Sequence, residues 1–550
     1  MIRHIRWQAI IALLGVVLVV ALLGYIAYTT TTVIVPDTGG TYVEGIAGRP
    51  SYINPILCQY NQVDNDLVSL IFSGLTDINE RGEIVASLAR DWDVSDDGLL
   101  YTFYLRRDVL WHDGEPFTAD DVLFTIDAIQ HEDYQGAPEL SELWRTVTSE
   151  KINDYTISFT LQAPLATFLD YTVVGILPRH LLVHVPASEL PRDQFNVRPV
   201  GTGMFKIGQV SGDLVILEAY PDYHGEKPLL SKIEFKFYPD YQSAFAAYQQ
   251  GEVEGVSEVL PEDLPRVRRE EHLHLYSARL SGYTLIFLNL DLPTFQEKEV
   301  RQALLWGIDR QLIIDQILDG QGIVAHSPIM PDSWAYNEDV LEYDYDPSGA
   351  RQLLTDAGWL DSDRDGVREK ENMRLEFSLL TNKDPVRRQM IEEVARQLWE
   401  IGVKIVPIVE DSSWVVNEAL RPRNFDALLY GWGNLPSDPD PYLMWHSTQI
   451  GGDGQNYAGL DNVDIDQLLE QGRQSIDQGE RAELYQDFQD LFAEEVPSLL
   501  LYYPVYNYAV DEMVKGVQLS AMMDPGDRFR TIAQWYIKTR RVMVSQAGQE

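Results

Sequence analysis

Cysteine is almost missing from this chain. Cys58 is the single one in 550 residues, so no intramolecular disulfide framework exists and stability must come from the core. Its neighbours, Ile56-Leu57-Cys58-Gln59-Tyr60, predict a thiol packed among apolar side chains. A lipoprotein signal is also missing, because it needs a cysteine directly after an apolar run and Cys58 lies too far downstream. Positive charge is scarce: 43 Lys and Arg stand against 85 Asp and Glu, a net −42. That excludes nucleic acid as a partner, since phosphate binding needs a basic surface. A solvated acidic surface accounts for the charge, and a preference for cationic solutes is a second account. No Gly-x-Ser-x-Gly elbow, no His-Glu-x-x-His and no phosphate-cradling glycine loop is present. A surface hydrolase would need a nucleophile with its base, paired catalytic carboxylates or a metal, and no motif marks any of them.

Apolar residues are not scarce, at 45% with 11% aromatic, so the chain folds. It is too long for one core, because cores stop growing near about 250–300 residues. Two large lobes, or one interrupted by another, is the expectation. Arg3, His4 and Arg6 precede an uncharged stretch from Ile10 to Tyr28, long enough for a membrane-spanning helix. The basic flank places the N-terminus in the cytoplasm and everything after Tyr28 outside. The run exceeds a usual signal-peptide core and no small-x-small cleavage site follows clearly, which favours a retained anchor over a cleaved signal. Residues 29–41, Thr-rich with Pro36 and Gly39-Gly40, read as a linker. The residues after Lys538 read as a frayed tail.

Strand and helix signals alternate between, which is the α/β pattern. Asp96-Asp97-Gly98 supplies a turn between a strand with Trp92 and Val94 and one alternating Tyr101, Phe103 and Leu105 with polar neighbours. Thr118 and Asp121 predict a capping box for the helix that follows. Val300, Leu304, Ile308 and Leu312 recur at helical spacing, and Gly320 stops the run. A further helix is predicted over about 385–400, ended by Gly402, with an apolar strand from Ile405 to Val409.

The segments Ala86–Trp92, Tyr101–Arg106 and Trp111–Val122 closely resemble the signature of family 5 solute-binding proteins, the oligopeptide-, dipeptide- and nickel-type receptors of ABC importers. Tyr52-Ile53-Asn54-Pro55, Gly201-Thr202-Gly203-Met204-Phe205-Lys206, Val300–Leu304 with Ile308–Arg310, Asp346-Pro347 to Gly358-Trp359, and Asp438–Tyr442 agree in order. The resemblance implies a type II periplasmic-binding-protein-like α/β fold with two lobes, the first enlarged by an inserted subdomain. Residues 42–60, 186–280 and 502–538 would form lobe I, 61–185 the insert, and 281–501 lobe II. The stub, anchor and linker would occupy 1–41 and the tail 539–550. It also implies solute capture by hinge closure, delivery to a membrane permease driven by cytoplasmic ATPases, and an extracytoplasmic location at the cell surface or in the periplasm. A monomer without cofactor is the matching expectation. Peptides are the leading cargo, with oligosaccharides or metal chelates as alternatives. A signalling receptor of the same fold would need a partner, because the cytoplasmic stub is too short.

The resemblance places the cleft at Gln59, Tyr60 and Asn61, at Tyr283, and from Trp432 and Asn434 to Asp438 and Tyr442. Relatives that bind a free peptide N-terminus commonly carry an acid three residues after the tryptophan; here that position is Leu435. Asp438 is the candidate replacement. Asp361, Asp363, Asp365 and Gly366 resemble the opening of a calcium loop, but position twelve is Asn372. His272 and His274 could share a strand face, and two histidines are weak evidence for a metal.

Overall fold

The turn chemistry at Asp96-Asp97-Gly98 folds as the hairpin it predicts. Ala89–Val94 pairs antiparallel with Leu100–Leu105, Gly98 takes φ +67°, and Tyr101, Phe103 and Leu105 point inward. A computed structural model describes residues 2–544 apart from 437, 453 and 521, leaving out the side chains of 2–6, 8–10, 24, 26–30 and 139. Two further strands, Thr156–Thr160 and Thr148–Asn153, complete a four-stranded sheet with the hairpin. The Thr118 amide donates to Asp121 Oδ2 at 2.9 Å, so the capping box forms and opens the helix Ala119–Gln130.

The main sheet has twelve strands. Its centre is the long strand Ser498–Asp511. The first part, from Ser498 to Tyr502, pairs with Gly282–Leu288, and the second, from Val505 to Asp511, pairs with Leu273–Arg279. One strand therefore joins two flanks. On one lie Gly282–Leu288, Ala427–Gly433, Glu376–Asn382 and Lys404–Glu410. On the other lie Gly255–Val256, Thr41–Ala47, Lys232–Tyr238, Leu214–Ala219 and Phe205–Val210. Each flank has its own core. Gly282–Leu288 is buried throughout, and the two-residue period splits it: Tyr283, Leu285 and Phe287 enter one cluster, Ile286 and Leu288 another. On the other flank one cluster continues from the sheet into the four-stranded subdomain, and a smaller one gathers Phe245, Val256, Leu264 and Leu273.

Two expectations change. The apolar stripe from Val300 to Leu312 is not one helix but two, Lys298–Trp306 and Arg310–Ile317. Asp309 Oδ1 accepts the Leu312 amide at 2.9 Å, so its cap interrupts the run. Ile313 and Ile314 bury in place of Leu312. The linker and the tail are paired rather than loose. Thr32–Asp37 and Lys538–Met543 form an antiparallel ribbon from Thr32↔Met543 to Asp37↔Lys538, as β-branched Thr32-Val33-Ile34-Val35 favours. The N-terminal run forms the helix Ile2–Thr31, whose described apolar side chains, such as Leu13 and Leu18, are exposed. Among the described residues no helix is long and apolar enough to cross a membrane.

The motif segments meet in the interior. The His112 ring accepts the Gly201 amide at Nδ1 (3.2 Å), so Nε2–H donates to the Gly203 carbonyl (2.9 Å). Burial pushes this imidazole down to about 4, so it is neutral and already spent on backbone. Unfolded histidine titrates near 6.5, and the folded value lies below it. The stability this site supplies is therefore complete above about 6.5 and drains away as pH falls toward about 4. The fall in melting temperature between pH 7 and 4.5 is expected to be shallower in His112→Gln than in wild type; equal slopes would refute the assignment.

Arg528 ties the first flank together from a fully buried position. Its guanidinium donates to Glu44 Oε1 (3.0 and 2.6 Å) and to both Asp66 oxygens (2.9 and 2.6 Å). Glu44 Oε2 also accepts from the hydroxyls of Tyr42 and Tyr508.

Candidate binding cleft

Where the two flanks face each other, they enclose a cavity of about 780 Å³. One wall comes from the turn at Gly82–Val85, the short helix Ala166–Val173 and the segment at Met522-Met523. The other comes from Pro328–Trp334, Leu435-Pro436, Asp438–Pro441 and Met444. The floor is tied by Ser281, whose amide donates to the Met522 carbonyl (2.6 Å) and whose hydroxyl donates to the Leu435 carbonyl (2.8 Å). Arg279 reaches across to Asp332 at 2.8 Å. Methionines, leucines and an indole give the cavity apolar area, while the charged groups sit at fixed points. That mix suits a small solute with a few polar ends.

Most of those charges are already paired. Both Asp438 oxygens accept from Arg481, one at 2.7 Å, and the guanidinium lies over the Trp334 ring at 5.0 Å. Burial pulls this guanidinium down, yet the facing Asp438 holds it above its ordinary value. Asp440 pairs with Arg473 at 2.9 Å, and Arg530 with Asp527 at 2.8 Å. Asp170 is different. Its Oδ1 is shut off from solvent without a hydrogen-bond partner. Burial, together with the Asp438 carboxylate, pushes it up to about 7 against the pull of Arg481.

The model for bacterial extracellular solute-binding proteins, family 5 (middle), matches residues 83–453. The chain belongs to that family. It is 33% identical over 513 residues to the oligopeptide-binding protein AppA of Bacillus subtilis, covering 91% of this chain and 92% of that one. The solved structure of AppA from Bacillus subtilis in complex with a nonapeptide aligns with TM-score 0.73 and 32% identity, over 92% of this chain and all of that one. NikZ of Campylobacter jejuni, solved with Ni(L-His), aligns with TM-score 0.74 and 28% identity, over 90% and 99%. The mixed α/β periplasmic-binding-protein-like fold is therefore that of family 5 structures. Family 5 receptors are extracytoplasmic solute-binding components of ABC importers.

Within this family 5 receptor the sequence-predicted residues separate. Asp438 stands in the cavity wall. Tyr283 is fully buried beneath it, its hydroxyl donating to the Sδ of wall residue Met444 at 3.5 Å. Trp432 pairs in register with Tyr283 and stacks on Tyr457, ring centres 5.5 Å apart. Asn434 takes φ +55° where the strand ends. Tyr442 stacks on His446 at 4.2 Å, under the Arg473 guanidinium. Tyr60 and Asn61 line a separate cavity of about 510 Å³. Asn61 is spent there as the cap of the helix Gln62–Ile71, accepting the Val63 amide, and Gln59 belongs to the short turn Cys58–Tyr60 before it. The sequence reading passed over Asp170, Arg279, Asp332, Trp334 and Arg481. Each lies outside the quoted motifs, and only folding brings the first four to one cavity and Arg481 behind its wall residue Asp438.

The other candidates are accounted for locally. His272 faces Glu512 at 2.8 Å. His446 Nδ1 accepts the Thr448 amide while Nε2 meets Glu470 at 3.3 Å. Asp361, Asp363 and Glu369 bring carboxylate oxygens within 4.8 Å of one another, so the third acid comes from Glu369 and not from position twelve, which is Asn372. The Gly366, Asp365 and Ser362 amides already donate to these three acids. The Cys58 thiol is buried and pushed up to about 12.

Proposed function

We propose that this chain is the receptor subunit of an ABC importer that captures short peptides by closing two lobes over them, without covalent chemistry. The observation that carries this reading is the cavity between the flanks, with segments of both in its walls and the strand Ser498–Asp511 running through both. A solute that touches both walls binds the closed form better than the open one and shifts the hinge by that difference. Lobe I takes 42–60, 186–280 and 502–538, lobe II takes 281–501, and 61–185 is the insert. The relative solved with a nonapeptide favours peptide cargo. Asp438 contacts solute, and Tyr283, Trp432, Asn434 and Tyr442 support that wall from behind. The exposed apolar side chains of Ile2–Thr31 favour retention of this helix as a membrane anchor, with the body a monomer outside.

Peptides added to the purified protein are expected to raise its melting temperature, and mass spectrometry of what co-purifies is expected to find peptides. A peptide at 100 times its dissociation constant stabilises the fold by about 2.7 kcal/mol. Chemical consumption of the peptide, or a panel of peptides that leaves the melting temperature unmoved while sugars raise it, would overturn the reading.

A further inference from the structure

Five acids line the interlobe cavity: Glu83, Asp170, Asp332, Asp438 and Asp440. Three hold an arginine each: Asp332 has Arg279, Asp438 has Arg481 and Asp440 has Arg473. Glu83 is exposed and accepts from the Asn79 side-chain amide at 2.8 Å. Asp170 has no cation of its own among the described residues. Its Oδ1 takes no hydrogen bond and is closed to bulk water.

A carboxylate without a counter-charge in such a place costs free energy unless something pairs with it. The charged groups that act on it are Asp438 and Arg481, its carboxyl also accepts the Asp438 backbone amide, and Arg81, Glu83 and Arg530 line the same cavity. Arg481 is bound to both oxygens of Asp438 and also donates to the Gly472 carbonyl. Among the described acids of the cavity, Asp170 is therefore the one withdrawn from solvent with no arginine bound to it, and Leu435 offers no charge.

We propose that Asp170 is a specificity-determining residue that accepts the ammonium group of the solute, selecting cargo with a free amine. This rests on the reading of the cavity as the solute site. It places the cation receptor on the Ala166–Val173 segment, in the wall opposite Asp438 and Leu435. A bound ammonium supplies the missing counter-charge. Proton and ammonium then compete for the same carboxyl, which sits at about 7 when no cation is bound. Affinity for an amine-bearing solute therefore falls as pH drops from 7.5 to 5.5.

The test uses the full chain, with trialanine, N-acetyl-trialanine and the diamine cadaverine as probes, read by calorimetry at pH 7.5 and 5.5. Wild type is expected to bind trialanine at least tenfold more tightly than its acetylated form, and less tightly at pH 5.5. Asp170→Asn is expected to lose that preference and the pH dependence while melting no lower than wild type without ligand. Asp170→Glu is expected to restore part of both. If wild type binds trialanine and Asp170→Asn binds it equally well, the assignment of Asp170 is overturned and the peptide reading stands. If trialanine fails but cadaverine binds in an Asp170-dependent way, the peptide reading fails and Asp170 stands. If no amine binds, the proposal falls.

Discussion

Replacing Arg528 with methionine is expected to destabilise the fold by about 3–5 kcal/mol. Arg528, Glu44 and Asp66 are all buried to within 1% of full enclosure. Removing the cation leaves two interior carboxylates with neutral hydrogen-bond donors but no counter-charge. They come from the strand Thr41–Ala47 and the helix Gln62–Ile71, while Arg528 comes from near the far end of the chain. The loss therefore unties the strand, the helix and the C-terminal segment at the point where they meet. Urea denaturation followed by tryptophan fluorescence reads the change. Adding Glu44→Gln and Asp66→Asn to the same variant is expected to recover much of the loss, because the penalty belongs to unpaired charge. A single Arg528→Met variant that unfolds at the wild-type urea concentration would show that the cluster contributes nothing.

Gly201→Ala is expected to cost about 3 kcal/mol through overpacking against rigid backbone. A Cβ there would lie 1.9 Å from the Ile71 carbonyl oxygen and 2.8 Å from its carbon. No rotamer change relieves that contact. The same carbonyl accepts the Gly203 amide at 2.8 Å, and the Gly201 amide is the one His112 holds. Gly114 is the control. It sits at φ +94° with open space around its absent Cβ, so Gly114→Ala pays only for left-handed backbone, about 1–2 kcal/mol. Thermal melts that rank the two variants equally would contradict the close-packing account.

These two glycines show how far the sequence could be read. Trp111-His112-Asp113-Gly114 and Gly201-Thr202-Gly203 were visible as family motifs, but the reason for them was not. It is a ring-to-backbone contact across about ninety residues, and no local pattern encodes it. Local chemistry was legible where it acts locally. The hairpin around Gly98, the box at Thr118 and Asp121, and the helix Pro385–Trp399 all formed as their residues dictate. It misled at Asp309, where a cap overrode an apolar stripe, and at the two end segments, where pairing partners lie some five hundred residues apart. The cavity follows the same rule. Asp438 belongs to a motif and could be named, whereas Asp170 and Arg481 acquire meaning only from what faces them.

The ribbon of Thr32–Asp37 with Lys538–Met543 has a mechanical consequence. A body hung from one extended segment swivels through every attitude. Here a second segment lies hydrogen-bonded alongside the first over six residue pairs, so a load applied at Thr32 passes into the body by two routes. Torsion between the start of the ribbon and the body is resisted by that second route.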